Sequence, residues 1–202
     1  MAGKTRRIVL ASRSPRRREL ALGAGWEVDL HPPADDAEAG AAPRGRQESL
    51  EAYVVRLARA KADAVGGMGV TGAILACDTL SEIDGAALGQ PADRADARRM
   101  LETLSGRRHR VVTGVCLWQR PELEPLVATD ESLLEMGPLD EVFLTWYLDS
   151  GLWRGKAGAC GFQDERLPLE LVAGSASNVV GMPLELVERL FAERDRLMAT
   201  AG

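Results

Sequence analysis

The chain has 202 residues, of which 46% are hydrophobic and 27% are charged, and its formal net charge at pH 7 is −5. This composition is typical of a globular protein and excludes disordered and fibrous classes. The length suits one large domain, or two lobes sharing a sheet, with a substantial core. Because the chain is acidic, it lacks the broad basic field that attracts a nucleic-acid backbone, and we expect no nucleic-acid partner.

The beginning of the chain predicts a strand, a turn and the start of a helix. Residues 8–11 are apolar and indicate a strand. Ser14 is a favoured helix cap and Pro15 fits the first helical position, so a helix is expected to start here and to end near residues 23–25. The apolar stretch is too short for a signal peptide, and no stretch approaches a membrane span, so we expect no membrane partner.

Hydroxyl and guanidinium groups gather at this predicted helix start. Backbone N–H groups at a helix N-terminus bind phosphate, and guanidinium groups match its oxygens in pairs. Successive helical residues point in different directions, so the arginines do not all reach one ligand. We assign Ser12, Arg13 and Arg16 to an anion site. Arg17 and Arg18 are left on the surface, and a solvated face of arginines is the alternative interpretation.

The next segment predicts a strand, a loop and an amphipathic helix. Residues 26–31 alternate as a strand, residues 32–46 are rich in proline, glycine and acids, and residues 47–65 show apolar side chains at helical spacing. Most charges on the opposite face of this helix are expected to be solvated. Arg56 and Lys61 are the two that could lean toward an anion.

Asp78 is the first candidate for a functional group. Residues 74–79, with the sequence Ile-Leu-Ala-Cys-Asp-Thr, are expected to form a buried strand that ends at a polar site. In open α/β sheets, functional groups tend to lie beyond the carboxyl ends of the strands. An aspartate that only opens a turn is the alternative.

Turn and cap signals divide the rest of the chain. Asp84-Gly85 predicts a two-residue hairpin, and Asp93 is a favoured helix cap. Gly114 is expected to interrupt a long strand. Three glycines around Lys156 suit a backbone that passes close to a ligand, and equally suit an ordinary turn. The predicted elements are a helix at 93–104, strands at 109–118 and 126–136, a helix from 137 to 151 with Leu139, Val142, Phe143 and Trp146 inward, a strand at 167–173 and a helix ending at 197.

The cysteines give an expectation about location. Cys77, Cys116 and Cys160 are widely spaced, odd in number and without metal-ligand pairing. Reduced thiols in a cytoplasmic protein are the simplest account of this pattern.

The order of these motifs resembles that of the Maf family of nucleotide pyrophosphatases. Each block alone is a weak signal, but together they follow the family's order from Leu10 to Leu190. The similar blocks are 10–20, 53–62, 76–79, 104–106 with His109 and Val111, 113–115, 156–158 and 179–184.

The resemblance implies a single Maf-like domain over residues 1–202. Its fold class would be α/β, with a long bent mixed β-sheet flanked by helices and two lobes with a central cleft, as in ITPase-like proteins. It also implies a homodimer, and hydrolysis of nucleoside triphosphates to the monophosphate and pyrophosphate. A divalent metal cation, Mg²⁺ or Mn²⁺, would assist the reaction.

The resemblance also implies roles for particular residues. Asp78 would be the proton acceptor and a metal ligand, and Lys156 would be a catalytic cation that neutralises the triphosphate. The residues that would bind substrate are Ser12, Arg13, Arg16, Thr79 and Gln163. Within the family, the equivalents of Arg16, Thr79 and Gln163 accompany a preference for dTTP and UTP, whereas a sister subgroup that acts on methylated GTP has glutamine and glutamate at the last two positions.

Two departures from the family pattern affect the expected activity. Gln90 stands where the family has lysine, and 152–155 (Leu-Trp-Arg-Gly) replaces Glu-Pro-x-Asp. We expect a pyrophosphatase that is slow or shifted in specificity, with a degenerate nucleotide-binding protein acting through a partner in cell-division control as the alternative. An RNA-binding protein is disfavoured by the net charge. The acids that could substitute for the missing ones are Glu19, Asp35, Asp36 and Asp164.

Overall fold

The structure is a computed structural model that describes residues 6–33, 43–164 and 166–201. The predicted substitutes Asp35 and Asp36 lie outside these ranges. The strands within them are β1 (Arg7–Leu10), β2 (Glu27–Leu30), β3 (Gly72–Ile83), β4 (Ala86–Leu88), β5 (Arg108–Arg120), β6 (Leu126–Met136) and β7 (Leu169–Ala173). The α-helices are α1 (Pro15–Gly23), α2 (Leu50–Gly67), α3 (Arg94–Leu104), α4 (Glu141–Ser150), α5 (Ala176–Val180) and α6 (Leu184–Ala201), and Ala157–Ala159 form a 3₁₀ turn.

Side-chain caps fix the starts of four helices. Each cap accepts a hydrogen bond from the backbone N–H three residues further on, which satisfies a donor that the helix itself leaves open. The four caps are Ser14, Ser49, Asp93 and Asp140. The predicted starts of α1 and α3 are therefore confirmed, whereas α2 begins a few residues later than the predicted 47.

The predicted start and inward face of α4 are wrong in part. The helix begins at Glu141 rather than at 137, because Asp140 is the residue that caps it. Leu139, Phe143 and Trp146 pack against the core of the second unit as predicted, and Leu144, Tyr147 and Leu148 are buried in it. Val142, predicted to point inward, is 80% exposed.

The strands form a mixed sheet, as the fold class predicts. The order is β2-β1-β3-β5-β6-β7, with β4 paired to β3. Strand β1 pairs in parallel with both β2 and β3, whereas β4 is antiparallel to β3 and β7 is antiparallel to β6. Helices flank this sheet, and among the described residues no helix combines the length and apolar character needed to cross a bilayer.

Strand β3 does not end at Asp78, which corrects the prediction. It runs from Gly72 to Ile83, and its last residues pair with β4 from Ser81 to Ile83. The hairpin at Asp84 and Gly85 is confirmed, and both residues have the positive φ values, 52° and 77°, that such a two-residue turn requires. The hairpin prolongs the strand, so Asp78 lies within a strand rather than after one.

Gly114 also differs from its prediction, because β5 passes through it without a break. A Cβ atom added at Gly114 would lie 2.4 Å from the carbonyl carbon of Val54 in α2. The glycine therefore allows helix and strand backbones to approach closely, a reason for glycine that the sequence pattern alone does not distinguish from an interruption.

The chain falls into two compact units, residues 1–78 with 113–130 and 181–202, and residues 79–112 with 131–180. In the first unit, one sheet face packs in a cluster with Trp26 and Phe191, and the other packs against Ala58, Ala62 and Val65 of α2. The second unit has its own core around α3, α4 and Trp153. Successive β3 side chains alternate between the two faces of the first unit, which decides where Asp78 points.

Candidate active site

Asp78 lies on the face of the first unit that α2 covers. Ile74 and Ala76, two and four residues earlier in β3, belong to the cluster that packs on α2, and the two-residue period places Asp78 on the same face. There the Lys61 ammonium donates to Asp78 Oδ1 at 2.6 Å. The same ammonium donates to the carbonyl of Cys77 at 3.4 Å.

Lys61 is one of the two helix cations that the sequence interpretation named as able to lean toward an anion, and the structure pairs it with a carboxylate. Its side chain is 8% exposed and that of Asp78 is 9% exposed. A signal for this position exists, because Lys61 follows the buried Leu57 by four residues and precedes the buried Val65 by four. Residues four apart share one helix face, so this lysine lies on the apolar side of α2.

The turn between β1 and α1 brings Ser12 and Arg17 together. Ser12 is 3% exposed, and its hydroxyl accepts from the backbone N–H of Ser14 at 3.1 Å and from Arg17 Nη1 at 3.4 Å. Arg17 Nε donates to the Gly181 carbonyl at 2.7 Å. Arg17, predicted on the surface, is thus half-buried within the turn, whereas Arg18 is exposed as predicted.

The two arginines that the sequence assigned to the anion site occupy different settings. Arg13 is exposed and its Nη2 donates to the Pro33 carbonyl at 2.8 Å. Arg16 is half-buried in the first turn of α1. Since β1 and β3 are parallel and pair at Leu10 and Leu75, the turn that follows β1 lies at the same sheet edge as the later residues of β3.

The pKa of the Cys77 thiol depends on the charged side chains near it. Burial raises its pKa to about 11, Arg17 and Lys61 act in the opposite direction, and Asp78 adds to the rise. One carboxylate and two cations therefore lie within electrostatic range of a single buried atom. Ser12 with Arg17 and Lys61 with Asp78 thus form two hydrogen-bonded pairs of the first unit near Cys77, and together they form its polar site.

The second unit contains the remaining predicted site residues. Thr79 is half-buried in β3 and Gln163 is exposed in a turn after the 3₁₀ segment. Lys156 Nζ lies 2.5 and 2.6 Å from the carboxylate oxygens of Asp164, and both side chains are largely buried. The Tyr147 hydroxyl donates to Asp164 Oδ2 at 2.5 Å.

Two of the acids considered as substitutes, Glu19 and Asp164, lie among the described residues, and Asp164 is the one placed against Lys156. Glu19 is exposed on α1. Gln90, where the family has lysine, is also exposed.

The described side chains bear on how a divalent metal would be held. Within residues 6–33, 43–164 and 166–201, no three His, Cys, Asp or Glu side chains form a group that could hold a metal ion. Among the residues that the structure describes, Asp78 is the carboxylate placed in the polar site of the first unit, and its Oδ1 accepts from Lys61. Such a donor set does not fit an all-protein cage, but it does fit Mg²⁺ held by one or two carboxylates together with substrate phosphates.

Comparison with known proteins gives the family. Residues 7–194 match the model for Maf-like proteins, and the chain belongs to the Maf family. Among its relatives is the dTTP/UTP pyrophosphatase of Rhodopirellula baltica, 43% identical over 184 residues, which are 91% of this chain and 80% of that protein. The dTTP/UTP pyrophosphatase of Anaeromyxobacter dehalogenans (strain 2CP-C) is 41% identical over 204 residues, 97% of this chain and 94% of that protein. The solved Ham1 protein of Staphylococcus aureus overlaps with a TM-score of 0.43 at 16% identity, over 65% of this chain and 72% of that one.

Proposed function

We propose that this chain hydrolyses a nucleoside triphosphate, dTTP or UTP in particular, to the monophosphate and pyrophosphate. The observation that carries the proposal is the buried Asp78–Lys61 pair, a carboxylate held by a cation at the sheet edge that bears Ser12 and Arg17. The R. baltica and A. dehalogenans relatives have this activity in their names, which supports the substrate class.

Asp78 acts as the general base in this proposal. Its carboxylate accepts a proton from a water molecule while the water oxygen bonds to the α-phosphorus. The bond between the α-phosphorus and the bridging oxygen breaks, and pyrophosphate leaves with that oxygen. Lys61 holds Asp78 Oδ1 at 2.6 Å and so fixes the orientation of the carboxylate toward the water.

The cations at the start of α1 stabilise charge in this proposal. The open backbone N–H groups of the helix and the guanidinium groups of Arg16 and Arg17 attract phosphate oxygens. Fixed donors of this kind favour the transition state because they need no reorganisation when charge builds up. A divalent ion that arrives with the triphosphate, with Asp78 as its carboxylate ligand, would supply Lewis-acid polarisation of the phosphate.

Thr79 and Gln163 recognise the base in this proposal. Their side chains offer donors and acceptors suited to a base edge, and groups of this kind reject bases that leave them unpaired. Two observations support slower turnover than the family pattern implies. Gln90 is neutral where the family has a cation, and Lys156, proposed from the resemblance as a catalytic cation, has a carboxylate partner in Asp164.

A nucleotide panel tests the proposal. Pyrophosphate release would be measured for dTTP, UTP, dATP and dGTP with Mg²⁺ or Mn²⁺, on the wild type and on Asp78→Asn. We expect turnover of the pyrimidine nucleotides, and a loss of about a hundredfold to ten-thousandfold in Asp78→Asn, as for the removal of a general base. The matched control is Asp149→Asn, which loses a carboxylate paired with Arg94 on the surface.

Equal turnover by wild type and Asp78→Asn would contradict the role of Asp78. Tight nucleotide binding without pyrophosphate release by the wild type would favour the degenerate binding protein instead. That protein would act through a partner, as its loss of turnover leaves only the bound state to recognise.

We also propose a homodimer in the cytoplasm. The family resemblance supports the homodimer, and the three free cysteines, Cys77, Cys116 and Cys160, support a reducing compartment. Sedimentation velocity should give twice the mass of the chain, and a monomer at micromolar concentration would contradict the homodimer.

A further inference from the structure

Gln163 lies in a short turn whose two ends are joined by Asp164. The backbone N–H of Asp164 donates to the Gly161 carbonyl at 2.9 Å, which closes a four-residue turn with Phe162 and Gln163 at its centre. The backbone N–H of Gly161 donates in return to Asp164 Oδ2 at 3.1 Å. Gln163 is exposed, so the turn presents its amide to solvent.

The Asp164 carboxylate is in turn held by two side chains from outside the turn. Lys156 Nζ contacts both of its oxygens, and the Tyr147 hydroxyl donates to Oδ2 at 2.5 Å. Tyr147 is fully buried in α4, and burial together with the neighbouring Asp164 raises the pKa of its phenol far above the ordinary value. The phenol therefore keeps its proton and remains a donor. Charge-assisted hydrogen bonds of this kind are the strong ones, so Asp164 is a rigid anchor.

Glycines let the Lys156 side chain reach this carboxylate. A Cβ atom at Gly161 would lie 2.7 Å from Lys156 Nζ and 2.8 Å from Cε, so the lysine passes directly over that glycine. Gly158 has φ of 66°, and its backbone N–H donates to the Gly89 carbonyl at 3.0 Å. The loop from 156 to 164 is therefore fastened to α4 and to the segment after β4 within the second unit.

We propose that Asp164, held by Lys156 and Tyr147, positions Gln163 and thereby sets the selectivity of the protein for the base of its nucleotide. This inference rests on the proposed function, in which Gln163 contacts the base. Asp164, Lys156 and Tyr147 act through the turn and are positioning residues. An amide displaced by a small distance no longer pairs with the base edge, and misplacements of this size cost up to about a hundredfold in rate.

Selectivity measured on paired variants tests the inference. The quantity is the ratio of kcat/KM for dTTP to kcat/KM for dATP, in wild type, Gln163→Ala, Asp164→Asn and the double variant. We expect each single variant to lower the ratio by about tenfold or more, mainly through a higher KM for dTTP. The double variant should fall no further than Gln163→Ala alone, because both changes remove the same contact.

Two results would overturn the inference. One is a fall in kcat by the same factor for every nucleotide in Asp164→Asn, which indicates a purely structural role. The other is a multiplication of the two losses in the double variant, which indicates that Asp164 acts independently of Gln163. Asp149→Asn is again the control and should keep the wild-type ratio.

A milder variant keeps the inference testable if Asp164→Asn does not fold, which circular dichroism would reveal. Tyr147→Phe keeps the Lys156–Asp164 pair and removes one donor, and it should shift the selectivity ratio in the same direction by a smaller factor. An unchanged ratio in folded Tyr147→Phe and a failure of Asp164→Asn to fold would together count against the inference.

Failure of the proposed function can be told apart from failure of this inference. If the wild type releases no pyrophosphate, hydrolysis is refuted, and equilibrium titration with dTTP and dATP then replaces the assay. The ratio of the Kd for dATP to the Kd for dTTP should still fall in Asp164→Asn, because the variant binds dTTP more weakly. The same ratio in wild type and variant would overturn the positioning role.

Discussion

At the scale of single residues, the buried pair of Lys61 and Asp78 affects both the stability of the protein and the orientation of Asp78. Removing charges from water is costly, and their mutual attraction offsets that cost only when both partners are present. The pair is 2.6 Å apart and shielded on the α2 side of β3. Lys61 therefore contributes to stability as well as to the orientation of the proposed base.

Replacing Lys61 by methionine tests the contribution to stability. The change leaves the Asp78 carboxylate buried without this partner, and we expect the free energy of unfolding to fall by roughly 3–5 kcal/mol. Urea denaturation followed by circular dichroism measures it. The control is Arg59→Met, which breaks an exposed pair with Asp63 in the same helix and should leave stability unchanged. The double variant with Lys61→Met and Asp78→Leu should be more stable than Lys61→Met alone, because no unpaired charge stays buried. An equal loss of stability in the single and the double variant would contradict this explanation.

His109 makes stability depend on pH. It is 3% exposed, and burial lowers its pKa from 6.5 to about 4. Between these values the unfolded chain binds a proton that the folded chain does not bind, so stability is lost as the pH falls through 6.5 toward 4.

Between pH 7 and pH 5, we expect this histidine to remove roughly 2 kcal/mol from the free energy of unfolding, from the pKa difference alone. Urea denaturation at several pH values gives the slope, and His109→Gln should reduce it. His31→Gln serves as the control, since His31 is half-buried beside the exposed Asp29 and lies outside the core. A slope that is identical in wild type and His109→Gln would refute the assignment.

At the scale of elements, close packing of α2 on β5 depends on Gly114. A Cβ atom there would lie 2.4 to 2.6 Å from the backbone at Val54 and Val55, where neither partner is a flexible side chain. We expect Gly114→Ala to lower the free energy of unfolding by about 1–3 kcal/mol or more, as at overpacked positions. Thermal and urea unfolding both measure this change.

The matched control for that variant lies in α2 itself. A Cβ atom at Gly67 would meet no atom within 4 Å, and the residue is helical and exposed. Gly67→Ala should therefore be neutral or stabilise the protein by about 0.5–1 kcal/mol, because alanine loses less backbone entropy in a helix. An equal change in the free energy of unfolding for Gly114→Ala and Gly67→Ala would contradict the claim that Gly114 is needed for the close approach of α2 and β5.

Elements with local signals were predictable from the sequence, and elements set by distant contacts were not. Ser14, Asp93 and the Asp84-Gly85 turn act on neighbouring backbone, so their helices and hairpin were predicted correctly. The continuity of β5 through Gly114 depends on a helix some sixty residues earlier in the chain, at Val54. The exposure of Val142 depends on which face of α4 packs in the core of the second unit with residues of α3.

The candidate site was predictable in its acid and less so in its cations. Asp78 follows an apolar run, which is a local signal. Lys61 was named only as one of two helix cations able to lean toward an anion, although its spacing from Leu57 and Val65 places it on the apolar face. The partnership of Lys156 with Asp164 depends on the fold of the loop and on Tyr147 in α4, so the sequence could only name Asp164 as one of several acids.

For the whole molecule, net charge is the property that governs contact with nucleic acids. The formal charge of −5 opposes the approach of a phosphate backbone, since nonspecific binding depends on release of counterions by a basic surface. We expect no binding of a labelled single-stranded oligonucleotide at physiological salt, measured by fluorescence anisotropy. Binding that weakened in Arg18→Ala, an exposed arginine of α1, would show that the arginine cluster acts despite the net charge.

The three cysteines have a practical consequence for following the molecule in solution. Burial raises the pKa of Cys77 to about 11 and those of Cys116 and Cys160 to about 12, so few thiolates exist near neutral pH to attack an alkylating reagent. Alkylation then requires transient opening of the surrounding structure. Cys77 directly precedes Asp78 in β3. The rate at which Cys77 is alkylated, measured by mass spectrometry, would therefore give the frequency with which β3 opens next to the proposed base.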